Sequence, residues 1–117
     1  MSNRLEAKVR HLPGVAIIDL KGEINAPDEG ALDRAYAEVE RGNPPDILLN
    51  FANVHYMNST GIALIVVLLS RARKAGRRVL ACGLDNHFLE VFEVTRLTEL
   101  LSIFPDEASA LAAHHDE

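Results

Sequence analysis

The sequence predicts an α/β fold, one small mixed sheet of four to five strands packed with about four helices. Three observations carry this expectation. Apolar, strand-like runs alternate with segments of helical periodicity along the chain. The runs 15–20, 47–49 and 79–81 are almost continuously apolar, as strands covered on both faces are. Leu12-Pro13-Gly14 is turn chemistry between the first two strands, which makes them an antiparallel hairpin.

Taken in order, Leu5, Ala7 and Val9 alternate with Glu6, Lys8 and Arg10, the pattern of a half-buried strand. Residues 15–20 form the second, more deeply buried strand. Lys21-Gly22-Glu23-Ile24-Asn25 then leads into a helix. Pro27 suits its first turn, Asp28 and Glu29 suit its dipole, and Leu32, Ala35, Tyr36 and Val39 give it one apolar face. Arg41-Gly42 ends that helix, and Pro44-Pro45 prevents its continuation. The short strand 47–49 follows a helix, so it is expected to lie parallel to its predecessor through a right-handed crossover.

A second helix is expected over 59–75, with Asn58 as N-cap, Arg71, Arg73 and Lys74 in the last turn and Gly76 just beyond. Residues 61–69 contain no polar side chain, so its first half is expected to be buried in the middle of the domain. Residues 78–83 read as another parallel strand. Asp85 or Asn86 caps a third helix carrying Phe88, Val91 and Phe92, and Ile103-Phe104 forms a short edge strand. Pro105-Asp106-Glu107 opens a last helix with Ala108, Leu111 and Ala112 on one face. Residues 1–117 are expected to form one domain with its core over 5–111, and 112–117 to fray.

Composition narrows the function. Hydrophobic residues make up 48% of the 117, which argues for a globular fold and against disorder. The formal charge is −5 and no long basic run occurs, so nucleic acid is not an expected partner. One cysteine, Cys82, excludes an internal disulfide framework and fits a reducing, cytoplasmic setting. The apolar run 61–69 falls far short of the ~20 residues of a membrane helix, so no direct membrane insertion is expected. None of the five histidines pairs with Cys, Asp or Glu at a metal-ligand spacing on a convincing element. No Gly-rich phosphate loop and no G-x-S-x-G sequence is present. An enzyme, a bound metal and a cofactor are therefore not expected.

What remains is Asn58-Ser59-Thr60-Gly61. Ser59 and Thr60 place two hydroxyls on a first helical turn, where free backbone N–H groups and the positive dipole end favour a negative group such as a phosphate. Two readings follow from the residues. In one, Asn58 and Ser59 only cap the helix and Gly61 allows close packing. In the other, Ser59 is a phosphorylation site displayed at a helix start, with Thr60 as the rival acceptor.

The sequence 47–62, Ile-Leu-Leu-Asn-Phe-Ala-Asn-Val-His-Tyr-Met-Asn-Ser-Thr-Gly-Ile, resembles the STAS domain, specifically the bacterial anti-sigma factor antagonists. Leu20-Lys21-Gly22-Glu23-Ile24-Asn25, the turn Arg73-Lys74-Ala75-Gly76 and the start of the last helix at Phe104-Pro105-Asp106-Glu107 extend the resemblance to roughly 5–111. It implies a partner switch. The unphosphorylated antagonist binds an anti-sigma factor that is also a serine/threonine kinase, which frees the sigma factor. The kinase phosphorylates the signature serine, here Ser59, and a serine phosphatase resets it. The ends of adjacent parallel strands share one edge, so the expected partner surface comprises Asn25, the loop His55, Tyr56 and Met57, and the helix start Asn58, Ser59, Thr60 and Gly61. The chain departs from the family at Asn25, Asn50 and Asn58, where Asp is common, and at Arg96, where Gly is common. The alternative is a STAS subunit of a transporter or ATPase assembly, which needs the fold but no acceptor serine; the retained Ser59-Thr60-Gly61 favours the switch.

Overall fold

The computed structural model describes residues 4–25 and 29–115. Gly14 takes a φ of 79°, which reverses the chain between β1 (Glu6–Leu12) and β2 (Val15–Ile24) and pairs them antiparallel from Leu12↔Val15 to Glu6↔Lys21. The remaining elements are α1 (Glu29–Gly42), β3 (Asp46–Met57), α2 (Ser59–Lys74), β4 (Arg78–Cys82), α3 (Asn86–Val94), a 3-10 turn (Leu97–Glu99), β5 (Ser102–Phe104) and α4 (Glu107–His115). The five strands lie in the order β1-β2-β3-β4-β5, and β2 to β5 run parallel. The mixed α/β architecture predicted above is the observed one. Leu32, Ala35, Tyr36 and Val39 are the buried residues of α1, and Asp85 rather than Asn86 caps α3, accepting from the Phe88 N–H at 2.8 Å. Pro27 and Asp28 lie outside the described residues.

β3 is longer than its apolar run. It extends over 12 residues, paired with β2 as far as Ile24↔Met57 across register shifts between Asp19/Lys21 and Gly22/Glu23. Residues 55–57, expected as a loop, are therefore strand. The shifts break the two-residue alternation, leaving Phe51, Val54 and Met57 buried among exposed Asn53, His55 and Tyr56. That spacing of three concealed the strand from a period-two reading.

The sheet faces are covered unequally. On one face α1, α2 and α3 enclose the main core, in which Phe51 and Phe92 meet edge to face at 5.7 Å. On the other, α4 covers Val15, Ile17, Leu48, Leu80 and Cys82 with Ala110 and Leu111. α2 is not buried all round. Gly61, Ile65, Leu68, Leu69 and Ala72 face inward, whereas Ala63 is exposed and Val67 is 54% exposed. The helices on that face form a single layer, so the outer side of α2 stays open to solvent. Its first turn lies so close to the end of β2 that a Cβ on Gly61 would overlap the Ile24 carbonyl oxygen.

Polar clamps hold both ends of α4. Asp106 Oδ1 accepts from the Ser109 N–H at 2.8 Å. Arg10 bridges Asp19 and Glu107, with 2.5 Å contacts to each. At the other end His114 Nδ1 lies 2.5 Å from the buried Asp46 Oδ2, which also accepts from Arg78 Nη2 at 2.7 Å. The stretch expected to fray is thus helical through His115, and His114 is docked, while Asp116 and Glu117 lie outside the described residues. The inward face of the helix is also turned from the expected one, with Ala110 buried and Ala108 and Ala112 exposed. Arg96 has a φ of 62°, the left-handed region that explains a preference for Gly there.

Three predictions follow from this packing. Leu68→Ala is expected to lower unfolding free energy by ~2–5 kcal/mol and Val67→Ala by no more than about 0.5 kcal/mol, measured by denaturant titration. Gly61→Ala is expected to cost about 1–3 kcal/mol or more, because the backbone carbonyl it meets cannot rotate away. The Arg10 hydrogen bonds hold the Asp19 carboxyl below its usual range against the opposing effect of burial, with help from the Asn50 amide. Burial raises Asp46, but its bonds to Arg78 and His114 outweigh this and the net shift is downward. Carboxyls depressed in the native state contribute fully above the unfolded value of about 3.9, and that stability is lost as pH falls through it toward the folded values. Acid titration of unfolding free energy should show this loss, and Asp19→Asn should be less stable at neutral pH yet lose less on acidification.

Candidate functional site

The site is built at the edge where β2 and β3 end. Asn58 leaves β3 in an extended conformation, with φ −92° and ψ −179°, and its Oδ1 accepts from the Gly61 N–H at 2.8 Å. Its carbonyl accepts the Ile62 N–H at 2.9 Å, which starts the helical ladder. Its own N–H donates to the Ile24 carbonyl at 3.4 Å, tying the cap to the end of β2. The helix geometry leaves the N–H groups of Ser59 and Thr60 outside the intrahelical ladder. Both side chains are exposed, and the first turn contains no acidic residue.

Most of the residues expected at this surface converge there. His55 and Tyr56 are exposed on the last turn of strand before the cap, Tyr56 at 49%. Asn25 directly follows Ile24 and is half-buried at the same edge. Met57 and Gly61 differ: Met57 is 8% exposed within the core, and Gly61 is buried against β2. They position the surface from beneath rather than form it. The outer side of α2 continues the surface through Ala63 and Val67, an extension concealed in the sequence by the uniformly apolar run 61–69.

The three Asn positions separate. Asn58 is the cap and Asn25 is at the edge. Asn50 lies midway along β3, on the sheet face covered by α4. Its Nδ2 donates to Asp19 Oδ1 at 2.9 Å, and its Oδ1 accepts the Ala52 N–H at 3.1 Å. An Asp at 50 would place two carboxylates in contact, so the amide at this position answers to Asp19. Cys82 lies beside Asn50, buried, and burial pushes its thiol up to about 11, which disfavours the nucleophilic thiolate. Among the described residues no group of His, Cys, Asp and Glu is arranged to hold a metal, and no helix is long and apolar enough to cross a membrane.

Comparison with known proteins agrees with this architecture. The STAS domain family model matches residues 6–110. The anti-sigma-B factor antagonist of Staphylococcus aureus is 26% identical over 86 residues, 74% of this chain and 80% of that protein. The crystal structure of an anti-sigma factor antagonist from Mycobacterium paratuberculosis superposes with a TM-score of 0.76 at 22% identity, covering 97% of this chain and 96% of the other. The Bacillus protein SpoIIAA, solved unphosphorylated and phosphorylated, superposes with TM-scores of 0.68 and 0.67 at 15% and 17% identity, covering 94% and 92% of this chain and 97% of SpoIIAA in each form. At these identities the solved structures establish the shared fold, and the family match over all five strands, the first three helices and the start of α4 establishes the lineage: this chain belongs to the STAS domain family.

Proposed function

We propose that the chain is an anti-sigma factor antagonist that works as a partner switch in the cytoplasm. Unphosphorylated, it binds an anti-sigma factor that is also a serine/threonine kinase. Phosphorylated on Ser59, it releases that partner, and a serine phosphatase restores the binding form. The chain acts by binding, without catalysis or cofactor of its own. The observation that carries this reading is the exposed Ser59 hydroxyl on the first turn of α2, beside exposed Thr60 and flanked by His55, Tyr56 and Asn25. An acceptor so placed favours the switch over a subunit of a transporter or ATPase assembly, which would need no hydroxyl there.

A phosphate brings about −1.5 to −2 charge at pH 7. In the helix interior it would disrupt the fold. At the first turn the N–H groups outside the ladder and the dipole favour it by roughly 0.3–1 kcal/mol when exposed. The modification therefore acts on the partner surface and leaves the fold intact. Against a close-packed partner formed around Tyr56, Ala63 and Val67, the new charge would be desolvated without compensation. Asn58 caps as well as Asp would and adds no charge of its own, so the unphosphorylated surface is more nearly neutral than the family pattern.

Incubation with the cognate kinase and ATP is expected to add one phosphate, placed on Ser59 by mass spectrometry; placement on Thr60, or no phosphate with a kinase shown to bind, refutes the assignment. Ser59→Asp should weaken the partner by up to about 100-fold, ~2.8 kcal/mol, with thermal unfolding unchanged, and Ser59→Ala should bind constitutively. A folded Ser59→Asp that binds like the wild type excludes the switch.

A further inference from the structure

A polar concavity lies at the end of α2 opposite Ser59. It is a pocket of ≈ 250 Å³ between the last turn of α2, the start of β4 and the segment leading into β5. Arg73, Arg77, Arg78, Thr98, Glu99 and Ser102 supply its polar lining. Arg73 on its lining lies nearly four helical turns along α2 from Ser59, about 21 Å.

The charges there are not balanced internally. Arg71, Arg73, Lys74, Arg77 and Arg78 concentrate five of the 12 Lys and Arg residues of an otherwise acidic chain. Arg71 is held by Asp33 and Glu40 and stacks on Tyr36 away from the pocket, and Arg78 is paired with Asp46. Arg77 donates from Nη2 to Asn43 Oδ1 at 2.9 Å, a neutral acceptor, and its Nε is buried without a hydrogen-bond partner. Neither Arg73 nor Arg77 has a carboxylate partner among the described residues. A partly buried guanidinium that meets only a neutral oxygen leaves electrostatic attraction unused, and its planar fork of donors matches an oxyanion.

We propose that this pocket binds a small oxyanion of phosphate or carboxylate type, held by the Arg73 and Arg77 guanidinium groups with the Thr98 and Ser102 hydroxyls as further donors. Glu99 is on the same lining without pairing to either arginine, and it limits the affinity by repelling the ligand. The site does not rest on the partner switch, and its occupancy leaves Ser59 free.

The test is an NMR titration of the whole chain with inorganic phosphate and, separately, with succinate, at ionic strength held constant by sodium chloride. Saturable shifts are expected at residues 73, 77 and 98–102, with the amides around Ser59 unmoved. Arg73→Gln, an exposed change that thermal unfolding can certify as folded, should weaken binding about tenfold, and Glu99→Gln should strengthen it. Saturation by phosphate alone assigns a phosphate-type ligand, by succinate alone a carboxylate, and by both a general oxyanion site. No saturation beyond the sodium chloride control, shifts confined to the Ser59 end of α2, or a response that neither variant changes overturns the proposal.

Discussion

The crossing of α2 over the end of β2 is the contact on which the rest of the molecule depends. The Ile24 carbonyl occupies the space where a side chain at position 61 would begin, and the Asn58 N–H reaches the same oxygen. Only glycine permits this approach. With α2 anchored there, its direction across the sheet is set, and Ile65, Leu68, Leu69 and Ala72 fall onto β3 and β4. The same anchoring fixes which side of the first turn meets solvent. Ser59 and Thr60 are exposed because Gly61, between them and the core, is the residue pressed against the sheet.

The two sheet faces are stabilised by different means. The face under α1, α2 and α3 is a broad apolar core, where burial of side chains such as Tyr36, Phe51 and Phe92 dominates. The face under α4 has a smaller apolar set and a helix rich in alanine, so polar contacts fix its position. Arg10, Asp19, Asn50 and Glu107 form one connected network, and Asp46, Arg78 and His114 form the other. The first is substantially exposed and contributes orientation more than energy. The second surrounds a buried carboxylate, whose partners must remain in place for that burial to be tolerated. The Asn at position 50 belongs to this architecture, since it must donate to Asp19.

Local patterns in the sequence determined much of this. The period of 3.6 in α1, the abrupt polar-to-apolar change at Asn58-Ser59, the cations and Gly76 closing α2, and the Pro13-Gly14 turn each encode structure within a few residues, and the structure has each of these features in place. The candidate acceptor was legible for the same reason, because a cap and a first turn are local features. The tertiary structure alone decided the extension of β3 through His55 and Tyr56, which depends on pairing with β2 across two register shifts. It decided that Met57 is core and Val67 is surface, since a uniformly apolar run does not say which side of a helix has a neighbour. It decided that Asn50 answers to Asp19 and His114 to Asp46, partners 31 and 68 residues away. Pairings of this kind arise only when the sheet has assembled, because they are set by the register between strands and by which face each helix covers, and neither quantity is written in any local stretch of chain.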